Sequence, residues 1–358
     1  TTLATGLVLD ITFDDVAWIH SDDDDDCTTT PTGDNGLEAT GFTLVETGAE
    51  SGIFTGSFQI PTNFCHETSG VVTVTGTDIE VNYQDFRNAS GESTEVGDGA
   101  SVNANTGSVA FDRTVYPVPY SATAFQEHAT ASDTEYLSAG NVTVHIRVTD
   151  ADYNVSAQGE DSISDASVVI KVERGSDSLT LETVGDSAAN KIVEVSPDSG
   201  VFEYDLVVDH DDGPSTDCPS TMSSCILQGD IITVTYTDNN DASGKSQTVT
   251  DSATFDLRNG VLQSDKSVYL IGSDMILTLI EPDFDLDNDG AQSVTLDLIE
   301  WDSDAATVSV GNFNSTFDPE PSELREAGDS TGIFQVVLEI PAALNGENLD
   351  RGEMIELE

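Results

Sequence analysis

Basic side chains are scarce in this chain: its 358 residues include 11 Lys and Arg against 67 Asp and Glu, which gives a formal net charge of −56. Nucleic acids and anionic lipid surfaces bind proteins mainly through Lys and Arg. We therefore expect neither as a partner. A chain with this much like charge needs counter-ions or high ionic strength to limit its self-repulsion, and sea water, brine or bound divalent cations would each serve.

Long apolar runs are also missing. No stretch of about 18 consecutive apolar residues occurs, so we expect no membrane-spanning helix in this segment. The chain opens with Thr1 and Thr2 and has no Met or signal peptide there, which predicts a processed protein or a fragment. Aromatic residues make up 7% of the chain, with two Trp. This low content gives little support to the aromatic platforms of a carbohydrate-binding surface.

Cysteine and histidine are few. Cys27 and Cys65 fall in one predicted repeat, and Cys218 and Cys225 share one loop of the next. Even numbers within each repeat favour disulfides 27–65 and 218–225, and with them an oxidising, extracellular location. A zinc site is the weaker alternative, because no Cys-x-x-Cys spacing occurs and the chain has five His.

No residue pattern indicates catalysis. The segment Gly328-x-Ser330-x-Gly332 has the spacing of a hydrolase nucleophile elbow, but a predicted strand follows it where the elbow requires a helix. The triplet Asp198-Ser-Gly200 resembles that of aspartic proteases, yet the matching position of the first repeat is Glu50. We predict that both segments are turns, and we expect no enzymatic activity.

One short segment occurs three times, at residues 46–60, 194–208 and 326–340. In each copy a Glu lies six residues before a Gly, and an aliphatic-Phe pair opens a run of alternating apolar residues. Alternation is typical of a half-buried strand, and Asp, Ser and Gly clusters are typical of turns. We predict a tight turn that leads into a core strand, with the Gly in a backbone conformation that disfavours other residues.

Further landmarks recur in the same order. Residues 107–116 contain Asp-Arg-x-Val-Tyr, and residues 260–269 contain Asp-Lys-x-Val-Tyr. The repeats divide the chain into units at 1–139, 140–271 and 272–358, of which the last is incomplete because it lacks this marker. Since proteins avoid unpaired strand edges, we expect either a longer polypeptide or another subunit that supplies the missing strand.

Short alternating strands, nearly without helix-type periodicity, predict an all-β fold of tandem immunoglobulin-like antiparallel β-sandwiches, one per unit. The hydrophobic content of 37% and its strict alternation argue against disorder. Predicted strands of the middle unit include 142–149 and 201–208, and those of the last unit include 267–271, 275–280 and 333–340.

A calcium loop is the best metal candidate. It contains alternate acids and a Gly that permits a sharp turn, as at the start of an EF-hand. A complete EF-hand is excluded, because its twelfth position, counted from Asp285, falls on Leu296 instead of Glu. A plain solvated loop is the alternative. The predicted ligands are Asp283, Asp285, Asp287 and Asp289.

Acids occupy the matching loops of the other two repeats, and this recurrence strengthens the hypothesis of divalent-cation sites, with Ca²⁺ as the expected ion. In the middle unit the candidates are Asp150, Asp152 and Asn154, and in the first unit they are Asp14, Asp15, Asp22 and Asp24.

Four glycosylation sequons begin at Asn88, Asn141, Asn154 and Asn314. Asn141 is predicted to open a strand. Asn88, Asn154 and Asn314 are therefore the candidate carriers of glycan, in agreement with export from the cell.

Tandem acidic sandwiches with these Glu-x5-Gly-Ile/Val-Phe turns and the Asp-Arg/Lys-x-Val-Tyr marker resemble the surface-layer proteins of ammonia-oxidising marine archaea, and the resemblance covers the whole chain. It implies a secreted protein that tiles the cell surface in a two-dimensional lattice of its own copies. It also implies an anionic, porous coat that binds and admits cations, can enrich ammonium, and excludes anions. The absence of a membrane anchor and the incomplete last unit depart from that pattern.

Two alternatives use the same modules. A calcium-rigidified adhesin stalk would have metal sites at each domain junction and behave as a rod. The non-catalytic, carbohydrate-binding region of a secreted halophilic protein would need aromatic platforms, for which the sequence offers little.

Overall fold

The computed structural model describes residues 9–13, 16–17, 44–57, 60, 63–66, 70–125, 135–156, 158–185 and 190–358. Strands and turns make up most of this part of the chain, which confirms the predicted all-β class. The one α-helix there is α1, Asn314–Phe317, and no described helix has the length and hydrophobicity needed to cross a membrane. Short 3-10 helices are found at Ala151–Tyr153, Pro282–Phe284, Leu296–Leu298 and Gly311–Phe313.

The strands fall into three successive groups. The first comprises β1 Leu9–Phe13, β2 Val16–Ala17, β3 Val45–Glu46, β4 Phe54–Thr55, β5 Asn63–His66, β6 Gly70–Thr73, β7 Asp78–Asp85 and β8 Thr94–Ser101. The second comprises β9 Ser108–Phe111, β10 Val115–Pro117, β11 Thr123–Phe125, β12 Glu135–Leu137, β13 Val142–Thr149, β14 Ser162–Ile163, β15 Val168–Arg174, β16 Asp177–Val184, β17 Ile192–Glu194, β18 Val201–Val208, β19 Ile231–Asp238 and β20 Gln247–Asp256. The third comprises β21 Val261–Ser264, β22 Asp274–Ile280, β23 Ser293–Val294, β24 Glu300–Asp302, β25 Thr307–Ser309, β26 Glu320–Glu326, β27 Ile333–Glu339, β28 Ala343–Leu344, β29 Glu347–Asn348 and β30 Glu356–Leu357.

The chain forms two compact units: residues 1–106 with 154–157 and 238–247, and the remainder. In the first unit, β2, β1, β7 and β8 form one sheet, and β3–β4 and β5–β6 form hairpins. β1 pairs with β7, whereas β13 of the second unit pairs with β18, the strand that follows the repeated turn. The apolar side chains Ile11 and Phe13 of β1 are buried together with Ile79 of β7, in a small core that favours this pairing.

The second unit contains a middle sandwich, made of β9, β10 and β13–β20. One sheet has the order β14-β17-β18-β13-β9 and the other has the order β10-β20-β19-β15-β16. The side chains of Val144 and Ile146 on β13 and of Val234 on β19 are among those that fill the core common to both sheets. The β9-β13-β18-β17 and β15-β19-β20 orders correspond to the ABED and CFG sheets of an immunoglobulin sandwich. A tandem immunoglobulin-like organisation over the whole chain stays a prediction.

The alternation of apolar and polar residues explains why these strands form. Val142, Val144, Ile146 and Val148 of β13 all point into the core, whereas the intervening residues are partly or fully exposed. β-branched residues suit this half-buried, pleated surface. Each fully buried Val or Ile side chain contributes about 1.5–3 kcal/mol relative to an exposed one.

The same unit contains a last sandwich, made of β21–β30. Its larger sheet has the order β21-β22-β27-β26-β23, which matches the order β9-β13-β18-β17-β14 strand for strand. A smaller sheet has the order β25-β24-β30. Trp301 and Phe317, with ring centroids 5.0 Å apart, pack in the core between these sheets.

Strand pairing divides the chain differently from the predicted units 1–139, 140–271 and 272–358. The first Asp-Arg/Lys-x-Val-Tyr marker follows β9 and runs into β10, and these strands pair with β13 and β20 of the middle sandwich. The second follows β21, which pairs with β22 of the last sandwich. The marker therefore begins a sandwich, whereas the sequence pattern assigned it to the end of the preceding unit. Hydrophobic alternation identifies strands but does not show with which neighbour they pair.

The strand predicted at 267–271 is not formed. Residues 268–270 have no regular secondary structure, although their counterpart in the middle sandwich is β10. A strand requires a hydrogen-bonded neighbour. β10 has one in β20, whereas no described strand pairs with residues 268–270.

Candidate functional site

The three predicted Glu-to-Gly turns have one geometry. Each is the loop of a hairpin, and a carboxylate oxygen of the Glu accepts a hydrogen bond from the Gly N–H six residues later. The three glycines have φ values of +66°, +62° and +59°, the left-handed region that favours Gly. The pairs are Glu46 with Gly52 at 2.8 Å, Glu194 with Gly200 at 2.7 Å, and Glu326 with Gly332 at 2.8 Å.

In the two sandwiches of the second unit the Glu carboxylate is buried and accepts further backbone N–H groups. Glu194, only 2% exposed, also accepts from Ser199 at 2.8 Å and from Asp161 at 3.0 Å. The hydrogen bond from the Asp161 N–H is the largest of several that hold the pKa of Glu194 below its usual value. These glutamate carboxylates therefore bind backbone N–H groups of the protein itself.

In the two sandwiches of the second unit, the turn also fixes the loop that carries the predicted metal ligands. The Gly200 carbonyl accepts from the Asp150 N–H at 2.9 Å, and the Gly332 carbonyl accepts from the Glu281 N–H at 2.8 Å. A 3-10 helix follows in both sandwiches. Its aromatic residue packs edge-on against the Phe of the repeat, with centroids 6.4 Å apart for Tyr153–Phe202 and 6.3 Å apart for Phe284–Phe334. The predicted equivalence of these two loops is confirmed.

The loop at 281–292, named the junction loop below, belongs to the last sandwich but contacts the middle one. Its Asp285 carboxylate lies 3.0 Å from a guanidinium nitrogen of Arg113, and Arg113 also donates to the Asp285 carbonyl at 2.8 Å. The backbone N–H of Arg258 donates to Asp283 at 2.8 Å. Burial raises the pKa of Asp285 more than the Arg113 charge lowers it.

His145, on β13, binds the same loop. Its Nε2 lies 3.0 Å from Asp287, and its Nδ1 lies 2.7 Å from Asp205 and 3.8 Å from Asp289. Only the protonated imidazole can donate from both ring nitrogens at once. The arrangement therefore favours the charged form of His145.

Backbone and aromatic contacts complete this junction. The Thr143 N–H donates to the Leu286 carbonyl at 2.8 Å. The rings of Tyr120 and Phe284 lie 6.0 Å apart. Burial, followed by the charge of Glu281, raises the pKa of Tyr120 to about 12, so its hydroxyl stays protonated well above neutral pH.

The described residues contain no group of three or more His, Cys, Asp or Glu that could hold a metal ion. In the junction loop, Asp285 and Asp287 face the cationic side chains of Arg113 and His145, and a donor set of this kind does not fit a calcium ion.

The other predicted ligands have different surroundings. Asp150 is buried, and its carboxylate accepts from the Tyr236 hydroxyl at 2.5 Å and from the Asp152 N–H at 2.9 Å. Asn154 is half-buried. The first-repeat candidates, Asp14, Asp15, Asp22 and Asp24, lie outside the described residues. Calcium binding by these groups stays a prediction.

One predicted disulfide is confirmed. Cys218 and Cys225 are bonded, with their Cα atoms 5.8 Å apart, in the loop between β18 and β19. Arg174 braces the same loop by donating to the Cys225 carbonyl at 2.8 Å while pairing with the buried Asp230 at 2.6 Å. Cys27 lies outside the described residues, as does the side chain of Cys65, so the 27–65 bond stays a prediction.

The predicted glycosylation sites lie in loops or at a helix start. Asn314 is exposed at the start of α1, and Asn88 is half-buried in the turn after β7. The Asn88 side chain accepts the N–H groups of Ser90 and Glu92 at 2.9 and 3.1 Å. Ser330 lies in the turn between β26 and β27, as predicted. Its surroundings are those of a hairpin, not of a nucleophile elbow.

Sequence reasoning missed the cationic side chains that matter most. Arg113, His145 and Arg258 carry the junction, and Arg174 anchors the disulfide loop. The scarcity of Lys and Arg could have indicated these residues, because a basic side chain among so many acids has many possible ion-pair partners. The marker Asp-Arg-x-Val-Tyr already singled out Arg113.

Replacing Glu326 with Ala tests the turn. Three N–H groups, those of Gln292, Thr331 and Gly332, lose their common acceptor. We expect the free energy of unfolding to fall by about 2–4 kcal/mol in denaturant titrations, because the buried Gly332 N–H and two more exposed donors lose their acceptor, and a buried donor left unpaired costs about 1–3 kcal/mol. Glu323→Ala, at an exposed position on the same strand, is the matched control and should change stability by less than about 0.5 kcal/mol. Equal losses in the two variants would contradict a capping role.

The His145 junction predicts a pH dependence. Burial alone would lower the pKa of His145, but hydrogen bonds to Asp287 and Asp205 outweigh it and raise the pKa. A raised folded pKa gives stability that is complete below the unfolded value of about 6.5 and is lost as pH rises through the folded value. We expect the wild-type melting temperature to exceed that of His145→Gln most at about pH 6 and least at about pH 9. His210→Gln serves as the control variant, and an excess that does not shrink with rising pH would refute the coupling.

Comparison with known proteins adds no relative: no protein-family model matches the sequence, and a search of curated proteins found no match.

Proposed function

We propose that this chain is a structural protein of an extracellular surface layer, in which copies form a strongly anionic, porous lattice around the cell. The observation that carries the proposal is the charge of the chain. If every Lys and Arg neutralised one acid, 56 of the 67 Asp and Glu would still have no Lys or Arg partner. A rigid β-fold keeps such charges at fixed positions.

The field of these charges accounts for the proposed selectivity. Carboxylates around a pore attract small cations, ammonium among them, and repel anions and acidic polymers. The effect reaches about 8 Å at physiological ionic strength and about 3 Å at 1 M salt. The function therefore depends on narrow openings and on ionic strength, and it requires no active site.

The rigidity of the modules supports a scaffolding role. Buried glutamates fix the turns of both sandwiches in the second unit, and the junction loop joins these sandwiches through Arg113 and His145. A load-carrying layer needs such fixed geometry between successive domains. Divalent cations, with Ca²⁺ as the expected ion, are proposed to act between facing acidic surfaces of neighbouring copies, and glycans at the sequons would lie on the outer face.

An adhesin stalk is the second candidate, because a specific inter-sandwich junction also suits a rod. The two functions differ in assembly. Electron microscopy of purified protein with added calcium should show sheets for a surface layer and isolated rods for a stalk, so rods without lateral contacts would overturn the lattice proposal.

The passage of small charged dyes through assembled layers tests the proposed electrostatic selectivity. We expect a small cationic dye to pass faster than an anionic dye of equal size at low ionic strength, and the difference to vanish at about 1 M salt, where the screening length is about 3 Å. A neutral dye of the same size controls for steric hindrance. Equal passage of both ions at low salt would rule out electrostatic selection.

Removing divalent cations tests the contacts between copies. Carboxylates on facing copies repel one another unless cations lie between them. We expect excess EDTA to disperse the assembly, and added Ca²⁺ to restore it where the same concentration of Na⁺ does not. An assembly that persists in EDTA would count against cation-bridged contacts while leaving permeation selectivity open to its own test.

A further inference from the structure

The disulfide-bonded loop between β18 and β19 contains two sulfur atoms with unlike surroundings. Cys225 is fully buried, and the next residue, Ile226, belongs to the core of the middle sandwich. Cys218 is partly exposed, and its two neighbours, Asp217 and Pro219, are exposed. A thiol from solution therefore has access to the sulfur of Cys218, whereas the protein covers the sulfur of Cys225.

Backbone contacts hold Cys225 in place without help from the disulfide. The N–H of Ile226 donates to the His210 carbonyl at 2.8 Å. The Cys225 carbonyl accepts from Arg174 at 2.8 Å, and Gly213 packs against this carbonyl so closely that a Cβ atom there would overlap it. Because none of these contacts involves a sulfur atom, they persist when the disulfide opens.

Arg174, at the end of β15, brings a spare N–H group to the buried sulfur. Its Nε and Nη2 donate to the two carboxylate oxygens of Asp230 at 2.7 and 2.6 Å. Nη2 also donates to the Cys225 carbonyl, and Nη1 donates to the Thr216 carbonyl. A guanidinium has five N–H donors, so these four bonds leave one on Nη1. Nη1 lies 3.9 Å from the Cys225 sulfur.

The two sulfurs thus differ in how well they would hold a negative charge. A thiolate at Cys225 would accept a charge-assisted hydrogen bond from Arg174, which is about twice as strong as a neutral one. The sulfur of Cys218 instead lies 3.3 Å from the Pro214 carbonyl oxygen, whose partial negative charge disfavours a thiolate. Asp230 offsets part of the Arg174 charge, but its bonds occupy Nε and Nη2 and leave Nη1 to the sulfur.

We propose that this disulfide is a thiol-exchange site with a fixed direction, in which an external thiolate attacks the sulfur of Cys218 and Cys225 leaves as a thiolate bound by Arg174. A new S–S bond forms between the external sulfur and Cys218, the 218–225 bond breaks, and its electron pair stays on the Cys225 sulfur. Exchange is fastest when the attacked sulfur is accessible and the leaving thiolate is stabilised, and both conditions select Cys218 for attack.

A second external thiolate completes the reduction by attacking the external sulfur of the mixed disulfide, which releases Cys218. Both cysteine thiolates then take protons from water, and two external thiols have become one disulfide. In reverse, the Cys225 thiolate attacks a mixed disulfide at Cys218 and forms the bond. The net charge of −56 repels anionic thiols, so the expected reactant is a small neutral or cationic thiol. The proposal is independent of the lattice function, since it concerns one loop of one sandwich.

Trapping the mixed disulfide on the full, wild-type chain tests the direction of attack. Folded protein is treated briefly with 2-mercaptoethanol, a neutral monothiol, quenched in acid and mapped by tandem mass spectrometry. We expect the adduct on Cys218 to exceed that on Cys225 by at least about tenfold. An adduct mainly on Cys225, an even distribution, or no adduct until denaturant unfolds the protein would overturn the proposal.

Charge variants test the part played by Arg174. In a Cys218→Ser chain, Cys225 is a free thiol, and the ultraviolet absorbance of its thiolate can be titrated with pH against a Cys218→Ser, Cys225→Ser blank. Adding Arg174→Gln should raise the titration midpoint by about one pH unit, because a charged donor is lost, and Arg174→Lys should raise it less. Arg147→Gln, which removes an exposed cation on β13, is the matched control and should leave the midpoint unchanged.

A purely structural role for Arg174 predicts the opposite sign. Loosening the loop would expose Cys225 to water, and hydration stabilises a thiolate, so the midpoint would fall. A fall or no change in Arg174→Gln would therefore refute the stabilised leaving group. The trapping experiment uses the wild-type chain, so it decides the direction of attack even where a variant does not fold.

Discussion

Much of the structure depends on a buried carboxylate that binds backbone amides within its own hairpin. Glu194 and Glu326 each accept the N–H groups of the turn that follows, and each also accepts one N–H from a neighbouring loop. A hydrogen bond to a charged carboxylate is stronger than one to a neutral acceptor. A buried N–H group that lost this acceptor would lower the stability of the fold. The same turns hold, through the carbonyl of their Gly, the end of the adjacent core strand. One side chain thus fixes a hairpin, a strand end and the 3-10 helix beyond it.

This interaction separates two roles of acidic residues in a chain with 67 of them. Glu194, Glu326, Asp150 and Asp230 are buried, and their charge or polarity is used inside the fold. Most remaining acids have no Lys or Arg available to them, and they act on the surroundings through their summed field. The number of acids therefore predicts the electrostatic field around the protein, but it does not predict the partner of any single carboxylate. The alternate acids of the junction loop show this, because their partners are cations of the protein itself.

The few cationic groups have a disproportionate part in the architecture. Arg113 and His145 bind the junction loop, and Arg174 holds the disulfide-bonded loop against Asp230. Lys266 occupies in the last sandwich the place that Arg113 has in the middle one, and its ammonium group lies 3.2 Å from the neighbouring Asp265 carboxylate. The same marker sequence thus places its cation in a contact between two sandwiches in one copy and in a local ion pair in the next.

The sequence by itself determined the class of fold, the strands at 142–149 and 201–208, and the three turns, because alternation and a six-residue spacing from Glu to Gly are local properties. It also determined the disulfide at 218–225, which closes a short loop. Only the tertiary structure decided which strands share a sheet, and hence that the Asp-Arg/Lys-x-Val-Tyr marker begins a sandwich and that residues 268–270 form no strand. It likewise decided the partners of the junction-loop acids: Asp285 and Arg113 are 172 residues apart. Contacts over such separations depend on how whole sheets pack, which no local pattern records.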